Sequence, residues 1–70
     1  MKIQSVRQLS AEFAVRRIVE AINRTYGDRD AYGILDAISM AFEDMAVDAD
    51  TERQASVIKA LHSAFDEAAF

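Results

Sequence analysis

The chain has 70 residues, of which 51% are hydrophobic and 29% charged, with a formal net charge of −4 and no cysteine. This length supports one domain, and the absence of cysteine excludes disulfides and thiolate metal sites. The N-terminal segment, residues 1–5, is too short and too polar to be a signal peptide, and no apolar run is long enough to span a membrane. We therefore expect a cytoplasmic protein without a membrane partner.

Small size and uneven charge both favour association. A chain this short buries a limited apolar area, and with no disulfide or evident metal site to add stability, self-association is a natural supplement. Residues 1–26 carry a net charge of +3, residues 27–52 carry −7 and the remainder sums to zero. This asymmetry predicts attraction between the basic and acidic segments, within a subunit or between two.

The first predicted helix covers about residues 6–26. Ser5, in a capping box with Gln8, and Ser10 are competing N-caps. Gly27 suits the left-handed position that ends a helix. Apolar residues at helical spacing form the predicted inner stripe: Val15, Ile18, Val19, Ile22 and Tyr26. Alternating charges form a ladder typical of a solvated face: Glu12, Arg16, Glu20 and Arg24.

The same helix has a second apolar face. Leu9 and Phe13 project roughly opposite the inner stripe, and a helix that is apolar on both sides is buried on both sides or is half of an interface. Alternatively the helix begins at Ser10 and Leu9 folds back as a hydrophobic staple, which leaves Phe13 unexplained. We predict an interface anchored by Leu9 and Phe13. Its predicted residues are Val6, Leu9, Phe13, Arg16 and Arg17.

The second predicted helix covers about residues 30–46, with Asp28 or Asp30 as its cap. The stretch YGDRDAYGILDA before and within it places Asp28, Asp30 and Gly33 at positions one, three and six of an EF-hand window. Tyr32 and Ser39 stand where calcium ligands are required, at positions five and twelve. The acidic run from Asp48 fits worse, with Arg53 in place of the glycine. We therefore interpret the stretch as a turn and predict no metal site. The predicted inner face is Ile34, Leu35, Ile38, Ala41, Phe42 and Met45.

The third predicted helix covers about residues 51–69, beginning at Asp50 or at Thr51, which matches a capping box with Gln54. Its predicted inner face is Val57, Ile58, Leu61, Ala64, Phe65 and Ala68. His62 and Asp66 lie one helical turn apart, a pairing that can orient an imidazole for proton transfer. No nucleophile is evident beside them, since Ser63 points elsewhere. We predict an exposed pair, no catalytic residue and no cofactor.

These elements predict an all-α protein with a single domain over residues 1–70. The architecture is a small three-helix bundle, or a helical hairpin with an extra helix, assembled as a homodimer. The predicted function is that of a non-enzymatic helical interaction or regulatory module. It would act by binding another macromolecule, either a second copy of itself or another protein, and no small-molecule substrate is evident.

An alternative is an acidic inhibitor of the phage type, which presents nucleic-acid-like charge to a host nucleic-acid-binding protein. Its residues would be Asp36, Glu43, Asp44, Asp48 and Asp50. Direct binding to nucleic acid is not expected, although Arg16, Arg17 and Arg24 lie on one helix. Acidic residues interrupt this basic patch, and the chain is acidic overall.

Overall fold

The computed structural model describes the backbone of residues 6–70 and the side chains from residue 9 onward. That part of the chain contains two α-helices, α1 (Val6–Asp48) and α2 (Glu52–Ala69), and no strand. The two helices pack together, which confirms the all-α prediction. The proposed cap Ser5 and the side chain of Val6 lie outside the described residues.

Helix α1 is broken at Gly27, where the backbone angles are φ 75° and ψ 163°. A straight helix of 43 residues would be about 64 Å long, whereas the longest dimension of the molecule is 39 Å. The break therefore turns the chain back on itself. It divides α1 into an N-terminal arm, residues 6–26, and a C-terminal arm, residues 28–48.

The conformation of Gly27 explains why glycine stands there. The predicted positive φ is confirmed, but ψ lies in an extended region that is essentially restricted to glycine, and not in the left-handed helical region. A Cβ atom at this position would meet nothing within 4 Å. The requirement is therefore conformational and not steric.

The stretch of residues 26–37, interpreted above as a turn, contains a much shorter turn in the structure. Only Gly27 departs from helical geometry, and the chain is helical again from Asp28. Asp28 and Asp30 begin the C-terminal arm, where negative charge is favourable beside the positive end of a helix. The turn is thus reduced to Gly27, and the helix predicted from about residue 30 already begins at Asp28, because every residue after Gly27 is compatible with helix.

The core lies where the two arms meet α2. Val19 comes from the N-terminal arm, Ala31 and Leu35 from the C-terminal arm, and Phe65 from α2, and all four are buried. Ala64 of α2 is buried as well. Partly buried apolar residues surround this cluster: Val15, Ile22, Ile38, Phe42 and Ala69. Each arm and α2 thus present one face to a common centre.

Three residues of the N-terminal arm depart from their predicted environment. Ile18 and Tyr26, assigned to the inner stripe, are 51% and 54% exposed. The buried face is narrower than the predicted stripe, and Ile18 is rotated by about 100° from its neighbour Val19. Glu12, assigned to the solvated ladder, has its Oε2 atom buried without a hydrogen-bond partner in the described structure. Its position one turn before Val15 brings it towards the core side.

The start of α2 confirms the predicted cap. Thr51 has extended backbone angles, and its Oγ1 accepts a hydrogen bond from the Gln54 amide at 3.1 Å. The Gln54 side-chain oxygen accepts a hydrogen bond from the backbone amide of Asp50 at 3.0 Å. In a capping box it would instead accept from the amide of the N-cap residue, Thr51. At the other end, the Phe70 ring meets Tyr32 edge-on, with centroids 5.8 Å apart. Both ends of α2 are thereby fixed.

Candidate functional site

A cluster of three polar side chains joins the C-terminal arm to α2. Ser39 Oγ lies 2.9 Å from His62 Nε2 and donates a hydrogen bond to Asp66 Oδ1, also at 2.9 Å. His62 Nε2 lies 3.0 Å from Asp66 Oδ2. Ser39 belongs to α1, and the other two residues lie one turn apart on α2. We call these three residues the polar cluster.

Aromatic packing fixes the imidazole of the polar cluster. The His62 ring stacks on Phe42, with centroids 5.7 Å apart and an interplanar angle of 14°. Phe42 in turn packs against the buried ring of Phe65. The His62 side chain is 20% exposed and that of Asp66 is 43% exposed. The cluster therefore sits at the rim of the core, in contact with solvent on one side.

The hydrogen-bond geometry of the polar cluster differs from that of a Ser–His–Asp triad. Ser39 has one hydroxyl hydrogen and donates it to Asp66, whose carboxylate has none to give. His62 Nε2 lies within hydrogen-bond distance of both Ser39 Oγ and Asp66 Oδ2. In a Ser–His–Asp triad the carboxylate binds Nδ1, which leaves Nε2 free to take the serine proton. Here one nitrogen meets both partners, so the cluster links two helices and does not form a triad.

The sequence prediction identified part of this cluster. His62 and Asp66 form the predicted i, i+4 pair, but His62 is half-buried and not exposed. The serine beside it is Ser39, which sequence reasoning missed because it is 23 residues away. One signal was available: Ser39 lies four residues after Leu35 and three before Phe42. A polar residue at that position lies at the edge of the apolar face and meets α2.

The outer side of the N-terminal arm carries exposed apolar side chains. Leu9 is 42% and Phe13 is 59% exposed. The guanidinium carbon of Arg16 lies 5.7 Å from the centroid of the Phe13 ring, within cation–π range. An open groove beside Phe13 is lined also by Ser10, Ala14 and Arg17. We call Leu9, Phe13, Arg16 and Arg17 the anchor surface.

The predicted acidic residues are all exposed: Asp36, Glu43, Asp44, Asp48 and Asp50. The first four belong to the C-terminal arm, and Asp50 lies in the link to α2. Two apolar side chains stand among them, Met40 at 57% and Val47 at 84% exposure. The outer side of this arm is therefore a mixed surface of carboxylates and apolar groups.

The described residues contain neither a group of metal ligands nor a membrane-spanning helix. From residue 9 onward, no three carboxylates or imidazoles are grouped so that they would hold a metal ion. The EF-hand window of residues 28–39 is helical, and a helix cannot wrap its oxygen atoms around a calcium ion. No helix in the described part of the chain combines the length and apolarity needed to cross a bilayer.

Comparisons with known proteins give no relative: no family model, no curated protein and no solved structure matches this chain. The surfaces and the polar cluster therefore carry the functional argument by themselves.

Proposed function

We propose that the protein is a non-enzymatic helical interaction module that assembles as a homodimer and acts by binding another macromolecule. The two arms and α2 would form a three-helix bundle, and the anchor surface would be the dimer contact. One observation carries this proposal. On the N-terminal arm, Val19 on one face is 1% exposed, whereas Phe13 on another face is 59% exposed.

The exposed ring of Phe13 and its charged neighbour are side chains typical of protein interfaces. Arg16 stands beside the ring, so the anchor surface presents an aromatic group with positive charge at its edge. Aromatic and arginine side chains are the groups that most often dominate protein interfaces. Covering what Leu9 and Phe13 still expose would contribute about 1.5–3 kcal/mol per subunit. Because association costs about 4–15 kcal/mol, a dimer requires further contacts beyond these two side chains.

The polar cluster supports a non-enzymatic role. It is the arrangement in the described structure that most resembles a catalytic site, but one nitrogen of His62 contacts both Ser39 and Asp66, which differs from a Ser–His–Asp triad. Its position between α1 and α2 suits the task of fixing how the helices align. We therefore assign binding, and not catalysis, to the protein, with neither a small-molecule substrate nor nucleic acid as its direct partner.

Light scattering across a concentration series tests the proposal. We expect the wild type to reach the mass of two chains and Phe13→Asp to stay at the mass of one. The matched control is Ile18→Asp, which places the same charge on the same arm at similar exposure, 51%, but about 140° around the helix. This control should dimerise like the wild type, and circular dichroism should give equal helix content for all three proteins.

Two outcomes would contradict the proposal. A wild type with the mass of one chain at every concentration would exclude self-association. A dimer that Ile18→Asp abolishes and Phe13→Asp preserves would place the contact on another face of the arm.

A second candidate function is the acidic inhibitor, which the exposure of all five predicted carboxylates favours. The probe is a generic basic protein bound to duplex DNA. An inhibitor of this type would release the DNA at low salt and lose that effect as ionic strength rises. It would depend on Asp36, Glu43 and Asp44 and be indifferent to Phe13→Asp. The homodimer proposal predicts no release of DNA.

A further inference from the structure

We infer that the anchor surface of one copy docks on the C-terminal arm of a second copy, where Met40 and Val47 receive Leu9 and Phe13. This inference rests on the proposed homodimer and names both sides of its contact. We call the receiving residues the acceptor surface: Asp36, Met40, Glu43, Asp44 and Val47.

The acceptor surface supplies the apolar area that the anchor surface lacks. Met40 is 57% and Val47 is 84% exposed, and Val47 is the most exposed large apolar side chain in the described structure. The two residues are seven positions apart, so they lie on one face of the helix, about 10 Å from each other. Leu9 and Phe13 are four positions apart and would fit between and beside them.

Charge distinguishes this pairing from its competitors. Arg16 and Arg17 flank Phe13, with the exposed Glu20 seven positions after Phe13 on the same face, so the anchor face keeps a net positive charge. Asp36, Glu43 and Asp44 flank Met40 and Val47. Among residues 9–70 the one ion pair is His62–Asp66, so none of these arginines and carboxylates is paired with another described residue. A contact between the two surfaces would bring opposite charges together around an apolar centre.

A contact of Phe13 with Phe13 is disfavoured by the same charges. It would bring Arg16 and Arg17 of both copies against each other, and like charges in an interface oppose association. The acceptor surface against itself would face carboxylates with carboxylates. In a two-fold dimer that pairs anchor with acceptor, the contact occurs twice, once in each direction. The buried apolar area is thereby doubled.

Charge reversal and mixing provide the test, with mass measured by light scattering at low salt. The first variant is Arg16→Glu/Arg17→Glu, which makes both surfaces acidic. The second is Glu43→Arg/Asp44→Arg, which makes both basic. Each alone should weaken the dimer about tenfold or more. An equimolar mixture should restore dimers to nearly the wild-type affinity, because both contacts in the mixed pair are again between opposite charges.

A control variant distinguishes the effect of charges on the two proposed surfaces from the effect of the net charge of the protein. Arg53→Glu/Lys59→Glu changes two exposed positions of α2 and alters the net charge as much as the first variant does. It should dimerise within about threefold of the wild type. The second variant brings the formal net charge from −4 to 0, so general repulsion cannot explain its loss of the dimer.

The outcomes distinguish this inference from the proposed function. A monomeric wild type would overturn both. A dimer weakened by the first variant but not by the second would leave the homodimer standing and overturn the acceptor surface. If both variants weaken the dimer and the mixture does not recover it, the two surfaces do not meet, and the inference is likewise overturned. Recovery that fades at high salt, as the Debye length shortens, would establish the pairing.

Discussion

Helix α2 and the N-terminal arm of α1 are of similar length, but they use their apolar residues differently. In α2, Ala64 and Phe65 are buried and most of the outward side is polar. In the N-terminal arm, Val19 is the one buried residue of the described part. Four large apolar side chains of that arm remain exposed: Leu9, Phe13, Ile18 and Tyr26.

This difference separates folding from binding. The apolar face of α2 is largely covered inside the subunit, and Val57, at 39%, is its one exposed large apolar side chain. Packing against α2 and the C-terminal arm covers only part of the apolar surface of the N-terminal arm. Apolar patches left exposed in this way mark sites where another molecule binds. We therefore propose that the exposed apolar side chains of the N-terminal arm serve binding, whereas the buried side chains of α2 serve the fold.

Phenylalanine occurs both in α2 and in the N-terminal arm, and its replacement by alanine should change the free energy of unfolding very differently at the two positions. Phe65→Ala removes a buried ring, 1% exposed, and should lower the free energy of unfolding by about 3–5 kcal/mol. Phe13→Ala should change it by less than about 0.5 kcal/mol in the monomer. Urea denaturation below the dissociation constant of the dimer measures both. Equal losses would mean that Phe13 belongs to the core, and the comparison would then be invalid.

A second prediction concerns the two glycines of α1. Gly27→Ala forces a non-glycine residue into a conformation at φ 75° and should cost about 1–3 kcal/mol. Gly33→Ala is the matched control: it lies in the helical C-terminal arm with nothing within 4 Å of an added Cβ. It should gain up to about 1 kcal/mol through helix propensity. Thermal denaturation would give shifts of opposite sign, and shifts of the same sign would contradict the role assigned to the break.

The smallest predicted effect concerns the polar cluster. Ser39→Ala removes two hydrogen bonds across the helices and should lower the free energy of unfolding by about 0.5–1.5 kcal/mol. Ser63→Ala, at an exposed position of α2, should stay within about 0.5 kcal/mol of the wild type. Neither change should affect dimer mass. Loss of the dimer in Ser39→Ala alone would show that the cluster belongs to the interaction and not only to the fold.

Local chemistry was readable from the sequence, whereas contacts between elements were not. The cap at Thr51 and the positive φ of Gly27 follow from the residue and its immediate neighbours. The narrow buried face of the N-terminal arm depends on how closely the other helices approach, so Ile18 and Tyr26 were misplaced. The partnership of Ser39 with His62 depends on helix register, which side-chain spacing within one helix does not determine.

Solvent protection beside Phe13 reports directly on whether a second copy covers the outer face of the N-terminal arm. The chain has no cysteine, so Ser10→Cys introduces a single thiol in the groove that Phe13 and Arg17 line. Ser63→Cys is the matched control on the outer side of α2, and both serines are exposed. The rate of thiol alkylation is measured over the concentration range in which the mass doubles.

If the proposed dimer forms, alkylation of the Ser10→Cys variant should slow about tenfold or more, since reaction then requires dissociation. The Ser63→Cys variant should react at one rate throughout. If both thiols react at rates that do not change with concentration, a second copy does not cover the outer face of the N-terminal arm, and the proposed dimer contact is wrong.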